Sequence, residues 1–491
     1  MTGRPNILVL LSDEHGSKHL GCYGSKLART PHLDALAARG VRFTQAYTPS
    51  PICVPARAAL ATGRSLHKAG FWCNADPYDG GVPSWHHLLR DAGHRVVSIG
   101  KLHFKGGGRD HGFSEEILPM HAADGLGDLL GLLRDEVVPR AGAAKLEAMA
   151  GPGESSYTRY DRRITAAAET WLREEAPKPA DRPWVLFVSL VAPHFPLTAP
   201  AEFYSQHRLD ALPMPMPMPK IYGSEERPGH PYLRHYAANL DYDRYFADPH
   251  SVRRAIAGYL GLVGFVDSNV GRVLGAIEAS GQADRTVVLY ASDHGDNLGA
   301  RGVWGKSTMY EESADVPLIL AGAGLPHGRR WDAPVSLIDV APTLLELCGV
   351  SIPAEMEGRS LLSPDPAREV LSEYHATGSR HGAFMLRRGR WKLIHHEGGL
   401  PPELFDLDAD PEEPTNLAAD PTSSAVLPEL YTALRRHCDP AAVDARARAR
   451  QRALLAAAGG REAVLARGDF GFSPPPGESH AHAGSVAAAT R

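Results

Sequence analysis

Charged and imidazole side chains follow four apolar runs of the sequence, at the point where each run ends. In chain order, these side chains are Asp13 and Glu14, Lys101 and His103, His194, and Asp293 and His294. A single aspartate or histidine at such a point more often caps the next helix or completes a turn. In open parallel sheets, however, ligands bind outside the carboxyl ends of the strands. Four such runs therefore predict one shared polar site.

Three of these residues predict a metal site. Asp13, Asp293 and His294 offer the oxygen and nitrogen donors that suit Ca²⁺, Mg²⁺ or Mn²⁺. Gly295 follows them and lets the chain turn sharply, so that adjacent side chains can converge. Glu14 could join them, but neighbours on a strand point to opposite faces, so the residues alone leave its membership open.

Cys53 lies in the stretch SPICVPARAALATG, residues 50–63. Pro55 and the small residues after it predict a helix that begins near residue 53, and a helix N-terminus favours negative charge. Arg57 would lie in the first turn, where a guanidinium can bind an oxyanion. An isolated cysteine is usually a small buried hydrophobe. A thiolate nucleophile is the second interpretation, because cationic neighbours lower the pKa of a thiol.

The apolar runs themselves predict the elements that position this chemistry. They lack period-2 alternation, which is typical of strands buried on both faces. The predicted strands cover residues 6–11, 95–99, 184–190, 286–292 and 317–322. Helical patterns at 30–40, 255–281 and 336–349 lie between them. This alternation predicts an α/β fold, a three-layer sandwich around a large, mostly parallel sheet.

The pattern changes after about residue 365, where shorter alternating segments begin. We therefore predict a catalytic domain at 1–365 and a smaller α+β subdomain with an antiparallel sheet at 366–466. A Gly-, Pro- and Ala-rich flexible tail is expected at 467–491. The Pro–Met segment at 212–220 cannot be helical and is expected to form a surface loop or a flap.

Composition excludes several classes of partner. With 57 acidic and 52 basic residues the net charge is −5, so nucleic acid is not expected. No uninterrupted apolar run approaches the roughly 20 residues of a membrane span, and the N-terminus resembles a strand more than a signal peptide. The five scattered cysteines form no CxxC pair, so no disulfide framework is expected. A cytoplasmic enzyme is the expectation, and a homo-oligomer is possible.

The segment CVPAR at 53–57, followed by AALATGR, resembles the C-x-P-x-R signature of the type I, formylglycine-dependent sulfatases of the alkaline phosphatase superfamily. Ala56 stands where serine is commonest in that signature. The likeness spans residues 5–365 and extends into FDLDADPEEPTNLA at 405–418. The other motifs that carry it, in the expected order, are PNILVLLSDE, TPHLDALAARGVRFTQAY, GKLHF, APHFP, SDHGD and GKSTMYEESADVPLI.

The resemblance implies hydrolysis of a small-molecule sulfate ester to an alcohol and sulfate. It implies that a separate formylglycine-generating enzyme converts Cys53 to formylglycine, whose hydrate attacks sulfur. It also implies a divalent metal, with Ca²⁺ expected and Mn²⁺ or Mg²⁺ as alternatives. The implied metal ligands are Asp13, Cys53, Asp293 and His294, with Glu14 as a further candidate.

The same resemblance assigns the remaining roles. Arg57 and Lys101 would stabilise the nucleophile. His103 would take a proton from the second hydroxyl of the hydrate, which expels sulfate from the covalent intermediate and regenerates the aldehyde. His194 and Lys306 would hold the sulfate oxygens, and one of them would protonate the leaving alcohol. Asn74 resembles a pocket residue of the choline-sulfatase and phosphonate monoester hydrolase branch.

Two alternatives remain. Phosphonate monoester hydrolases share the Asp–His pair and the asparagine, but tend to carry Tyr and Thr where this chain has Lys101 and His103. The Lys-x-His pattern favours a sulfatase over a phosphonate or phosphodiester hydrolase. A non-catalytic relative is the second alternative. Substrate specificity is expected in the loops at 105–160 and 200–250 and in the C-terminal part.

Overall fold

The computed structural model describes residues 4–216, 229–469 and 473–478. Part of the Pro–Met segment and most of the predicted tail lie outside the described residues. The strands, in chain order, are β1 Asn6–Asp13, β2 Gly40–Tyr47, β3 Val96–Lys101, β4 Glu115–Met120, β5 Gly151–Pro152, β6 Val185–Pro193, β7 Thr198–Ala199, β8 Thr286–Ser292, β9 Asp315–Gly322, β10 Arg329–Trp331, β11 Val335–Ser336, β12 Glu369–Tyr374, β13 Ala383–Arg388, β14 Trp391–His396 and β15 Glu403–Asp406.

Nine of these strands form one sheet, in the order β10-β2-β9-β8-β1-β6-β3-β4, with β11 also beside β2. All pairs in it are parallel except those of β9, which runs antiparallel to β8 and β2. The predicted mostly parallel sheet is confirmed, and each of the five predicted strands is present. The sequence did not reveal β2, β4 and the short strands β10 and β11, or the reversed direction of β9.

The helices cover both faces of this sheet. In chain order they are α1 Pro31–Ala38, α2 Cys53–Thr62, α3 Leu66–Ala69, α4 Trp85–Asp91, α5 Ala144–Ala148, α6 Ser156–Glu174, α7 Ala201–Tyr204, α8 Pro231–Asn239, α9 Pro249–Ala279, α10 Glu311–Ala314, α11 Val340–Cys348, α12 Val426–His437, α13 Pro440–Ala457 and α14 Gly460–Arg467. Leu8 and Leu10 of β1 join the core made with α1, α6 and α9, whereas Ile7, Val9 and Leu11 join the core made with α2, α4 and α11. The three-layer sandwich is therefore confirmed, and β1 is apolar throughout because both its faces are covered.

Helix α9 is apolar because it packs inside the protein. By length and composition alone it could cross a bilayer, but 72% of its most apolar window is buried within the protein. It lies against α6 and β6. Its buried Asp267 accepts hydrogen bonds from the backbone of His32 and Leu33 at the start of α1. These contacts are those of a core helix.

The C-terminal part carries the predicted antiparallel sheet. Strands β12 to β15 pair in sequence order, each antiparallel to the next, and helices α12 to α14 follow them. Of the predicted tail, Ser473 packs against the catalytic part, since its carbonyl accepts a hydrogen bond of 2.8 Å from the hydroxyl of Tyr157. The domain boundary near 365 stays a prediction.

Candidate active site

The carboxyl ends of β1, β3, β6 and β8 meet at one edge of the sheet, as the sequence predicts. β1 ends in Asp13, β3 ends in Lys101, and Asp293 directly follows β8. Their side chains are fully buried. The four strand ends therefore form one enclosed polar site.

Cys53 is the first residue of α2, and its side chain faces this site. Its Sγ atom lies 3.3 Å from Nε2 of His294, 3.3 Å from Nζ of Lys306 and 3.9 Å from Oδ1 of Asp13. Ile52, the residue before the helix, has no side chain that could cap the helix N-terminus. Asn74 does so instead, because its Oδ1 accepts a hydrogen bond of 3.2 Å from the backbone N–H of Val54. The amide NH₂ of Asn74 is then the end that can donate to a ligand.

The donors around Cys53 fit a divalent cation. Nδ1 of His294 faces the carbonyl oxygen of Gly295 at 3.0 Å, so the proton lies on Nδ1 and the lone pair on Nε2. The Nε2 atom lies 3.8 Å from Oδ1 of Asp13 and 3.7 Å from Oδ1 of Asp293. The donor atoms of Asp13, Cys53, Asp293 and His294 all lie within 4.8 Å of one another. Three electron-rich groups that face one another in a buried site call for a cation between them.

Arg57 and Lys101 bind the opposite sides of the two carboxylates. Arg57 donates from Nε to Oδ2 of Asp293 over 2.7 Å and from Nη2 to Oδ2 of Asp13 over 3.2 Å. Lys101 also donates to Oδ2 of Asp13. Burial raises the pKa of Asp13, but Lys101 and the other nearby cations outweigh it and hold that pKa well below its ordinary value. Asp13 thus stays ionised, with its Oδ1 atom near Cys53 and His294, whereas Oδ1 of Asp293 also accepts hydrogen bonds from the backbone N–H groups of Glu14 and His294.

Glu14 lies beside this group of four donors, next to Lys306. Its backbone has a φ of +69°, which takes it out of the strand alternation on which the sequence reading depended. Oε2 lies 3.1 Å from Nζ of Lys306 and 3.5 Å from Nε2 of His194. Burial raises the pKa of Glu14 to about 7, although Lys306 opposes the rise. Glu14 therefore groups with Lys306 and His194 by contact, and its role as a metal ligand stays a prediction.

The two histidines of the site are held neutral in different surroundings. Burial, followed by the charge of Lys101, lowers the pKa of His103 well below its ordinary value, and neither ring nitrogen has a hydrogen-bond partner among the described residues. Burial, followed by the charge of Lys306, likewise lowers the pKa of His194. Nδ1 of His194 donates to the carbonyl of Phe195 over 2.7 Å, so its Nε2 atom carries the lone pair.

Residues 5–350 match the family described as Sulfatase, and residues 299–439 match the family described as N-sulphoglucosamine sulphohydrolase, C-terminal. The first match covers well over half of the chain. The chain belongs to the sulfatase family. The predicted resemblance is thereby confirmed, and the protein is a sulfuric ester hydrolase.

Individual relatives agree with this assignment. The sulfatase is 33% identical over 472 residues to a choline-sulfatase of Rhizobium meliloti. The alignment covers 92% of this chain and 90% of the relative. It is 28% identical over 442 residues to human arylsulfatase K, covering 84% and 79% of the two chains. Among solved structures it superposes on a phosphonate monoester hydrolase from Silicibacter pomeroyi with a TM-score of 0.70 and 25% identity, covering 88% and 95%.

A pocket that is partly open to solvent leads from the surface of the sulfatase to Cys53. Its inner end is formed by Cys53, His103, His194, Lys306 and Asn74. Its outer walls come from three parts of the chain that sequence reasoning named without finding any chemistry. These walls include Asp128, Arg140, Lys145, Tyr157, Tyr236, Tyr242, Thr377, Asp469 and Ser473.

Sequence reasoning missed two groups that organise the pocket of the sulfatase. Arg140 binds both oxygens of Asp128, over 2.8 and 2.9 Å, and fixes the outer wall. Asp161 of α6 accepts 2.8 Å hydrogen bonds from the backbone of Val191 and Ala192, just before His194. A buried aspartate on the apolar face of the amphipathic helix α6 was the available signal for the second group.

Proposed function

We propose that this sulfatase hydrolyses small sulfate esters with residue 53 as formylglycine and with a divalent cation, Ca²⁺ first among the candidates. One observation carries the proposal: Cys53 begins a helix and faces two carboxylate oxygens, an imidazole lone pair and an ammonium group. A small, buried, inert cysteine would not need such neighbours.

The state of the thiol supports a modified residue. Burial raises the pKa of the Cys53 thiol to about 12, and Asp13 adds to the rise. An unmodified thiol would therefore stay protonated at neutral pH and would attack poorly. Formylglycine at this position supplies, as its hydrate, an oxygen nucleophile instead.

Asp13, Asp293 and His294 would hold the cation together with residue 53. When bound, the cation stabilises negative charge on the attacking oxygen of residue 53. Oxygen donors dominate the set, which favours Ca²⁺, Mg²⁺ or Mn²⁺ over thiophilic ions. Arg57 and Lys101 orient Asp13 and Asp293 from behind.

Lys306 would bind the sulfate oxygens. Burial lowers the pKa of Lys306, but Cys53 and Glu14 together outweigh burial and hold that pKa well above its ordinary value. The group is therefore an ammonium ion. It lies 3.3 Å from Sγ of Cys53, where it can contact an oxygen of the ester under attack. The amide NH₂ of Asn74 is a second donor from the opposite side of α2.

His194 would protonate the leaving alcohol from Nε2, because its Nδ1 is committed to Phe195. Oε2 of Glu14 lies 3.5 Å from the same Nε2 atom. Because the pKa of Glu14 is raised to about 7, Glu14 can supply that proton at neutral pH. His103 would act as the base that accepts a proton from the second hydroxyl group of residue 53 after sulfate transfer, so that the aldehyde forms again and sulfate leaves. It is neutral, and neither of its nitrogens has a hydrogen-bond partner among the described residues, so the unprotonated one can accept.

The pocket favours a small ester with an apolar or cationic alcohol. Tyr157, Phe195, Tyr236 and Tyr242 are among the residues that line it, and aromatic faces attract quaternary ammonium groups. The first substrate to test is therefore choline sulfate, which the name of the 33%-identical relative also suggests.

The test uses protein produced together with a formylglycine-generating enzyme. Mass spectrometry of the peptide that contains residue 53 should show an aldehyde, and Cys53→Ala should be inactive. Chelation should abolish turnover, and Ca²⁺ should restore it. An intact thiol, with turnover unchanged in Cys53→Ala, would overturn the proposal.

A phosphonate monoester hydrolase is the second candidate, since a solved structure of one shares the fold and 25% of the sequence. The comparison that decides is kcat/KM for an aryl sulfate and for a phosphonate monoester of the same phenol. We expect the sulfate to be the better substrate. A clear preference for the phosphonate would favour the second candidate.

A further inference from the structure

A second group of metal-binding side chains lies behind the loop that carries His103. It consists of His111, Glu116 and His121, whose donor atoms all lie within 4.8 Å of one another. Glu116 lies in β4, His121 directly follows that strand, and His111 precedes it. The group is independent of the active-site donors and of the proposed function.

His111 shows why this group needs a positive charge. Its Nε2 atom faces the carbonyl oxygen of Lys105 at 3.0 Å, and a carbonyl can only accept, so Nε2 carries a proton. Its Nδ1 atom then faces Oε1 of Glu116 at 2.8 Å with a lone pair. A lone pair and a carboxylate oxygen in contact require either a proton or a metal ion between them.

His121 provides the third donor to the same carboxylate. Its Nε2 atom lies 3.5 Å from Oε2 of Glu116, while its buried Nδ1 has no hydrogen-bond partner among the described residues. For a tetrahedral zinc ion with bonds of about 2.0–2.1 Å, neighbouring donor atoms lie about 3.3–3.4 Å apart. The separations of 2.8 and 3.5 Å run to the two different oxygens of Glu116 and are close to that value, so small side-chain movements would bring the three donors to zinc-binding distance.

We propose that His111, Glu116 and His121 bind a divalent transition metal, with Zn²⁺ as the first ion to test. Two imidazoles and one carboxylate suit Zn²⁺ better than Ca²⁺, and the carbonyl of Lys105 fixes the tautomer of His111 as metal-bound histidines require. Glu116 is 22% exposed and His121 is 25% exposed, so an ion can enter from solvent, and water can take the fourth position.

The ion would stabilise the segment that positions His103. The backbone N–H groups of Leu102 and His103 both donate to the carbonyl of Met120, over 3.0 and 2.9 Å, and His121 is the next residue. The ring of His121 also packs against Gly106 in the same loop. A metal that joins His111 to His121 therefore ties this loop to the end of β4.

A similar group elsewhere provides the control. His230, His396 and Glu403 also lie close together, but two of the three already accept hydrogen bonds from outside the group. Nδ1 of His230 accepts from the backbone of Tyr232, and Glu403 accepts from Tyr310. This second group should bind no metal. His230→Asn removes one of its imidazoles and keeps a side chain suited to the same helix cap.

The experiment measures zinc bound to the full chain after removal of metal, incubation with Zn²⁺ and desalting. His121→Ala and Glu116→Gln should each bind one equivalent less than the wild type, whereas His230→Asn should bind the same amount. Zinc binding should release a proton from this group and slow amide exchange at Leu102 and His103 in the wild type, but not in Glu116→Gln. A circular dichroism spectrum of His121→Ala and of Glu116→Gln shows whether each variant is folded, so that lost zinc binding is distinguished from lost folding. Equal zinc content in all four proteins would overturn the proposal, because a proton alone would then hold the group together.

Discussion

Oε2 of Glu14 lies 3.5 Å from Nε2 of His194, and both side chains are buried. Because Nδ1 of His194 donates to Phe195, a neutral His194 presents a lone pair to this carboxyl group. The contact is favourable only when one of the two groups holds a proton. Since burial raises the pKa of Glu14 to about 7, that proton can be gained or lost near neutral pH.

Glu14→Gln tests whether Glu14 supplies a proton or binds the metal. A glutamine keeps the size of the side chain but cannot release a proton to His194. We expect the bound Ca²⁺ to be unchanged and kcat to fall by about 10²-fold or more, within the range of general-acid effects. Metal analysis and steady-state kinetics measure the two quantities. Loss of the metal would instead identify Glu14 as a ligand.

His194→Ala should slow the release of the alcohol. For an alkyl sulfate, whose alcohol needs a proton to leave, we expect kcat to fall by about 10²–10⁴. For a nitrophenyl sulfate the loss should be much smaller, because nitrophenolate leaves without a proton. The slope of log kcat against the pKa of the leaving alcohol measures the difference. Equal losses for both esters would remove His194 from the role of acid.

His103→Ala should act at a different step, which makes it the matched counterpart of His194→Ala. Without a base at this position, the enzyme should release one equivalent of alcohol rapidly and then almost no sulfate. A rapid-mixing experiment with a nitrophenyl sulfate measures this burst. Full turnover at the wild-type rate would exclude His103 as the base.

The strand-end part of the site could be predicted from the sequence because of its geometry. The carboxyl ends of parallel strands meet at one edge, so Asp13, Lys101 and Asp293 had to converge once their strands were recognised. Glu14 could not be placed, because its left-handed backbone breaks the alternation of the strand. Asp161 was missed because it acts through backbone groups 30 and 31 residues away, and only its place on the apolar face of α6 marked it as a buried carboxylate.

The fold was predictable to a similar extent. Apolar runs without alternation indicated the five buried strands, because both faces of the sheet are covered. They carry no information on direction, so the antiparallel β9 was missed. Strand β4, EEILPM, was missed because it is a half-buried edge strand whose sequence begins with two glutamates and contains a proline, so it shows no continuous apolar run.

Arg57→Lys should weaken metal binding while keeping the positive charge. The guanidinium of Arg57 reaches Asp13 and Asp293 at once, and a lysine ammonium cannot span both carboxylates. Changes in groups that orient metal ligands typically cost about 10–100-fold in affinity or activity. A Ca²⁺ titration of activity measures the affinity. Arg272→Lys, at an exposed ion pair with Glu169, is the control and should leave it unchanged.

Asp161→Asn should change how stability depends on pH. Burial raises the pKa of Asp161 to about 7 in the folded protein, against an ordinary value of 3.8, although the hydrogen bonds from Val191 and Ala192 oppose the rise. The folded state therefore holds this proton more tightly than the unfolded state. The stability that Asp161 contributes is complete below pH 4 and is lost as the pH rises towards 7.

Asparagine cannot lose a proton in this range, so its contribution does not change. The free energy of unfolding of Asp161→Asn, relative to that of the wild type, should therefore increase between pH 5 and pH 8, by at most about 3 kcal/mol. Urea unfolding at both pH values measures it. Asp161 holds the backbone just before His194. The same variant should therefore lose more kcat on alkyl sulfates than on nitrophenyl sulfate, each compared with the wild type. A stability difference that is constant with pH would mean that Asp161 is already ionised in the folded protein at pH 5.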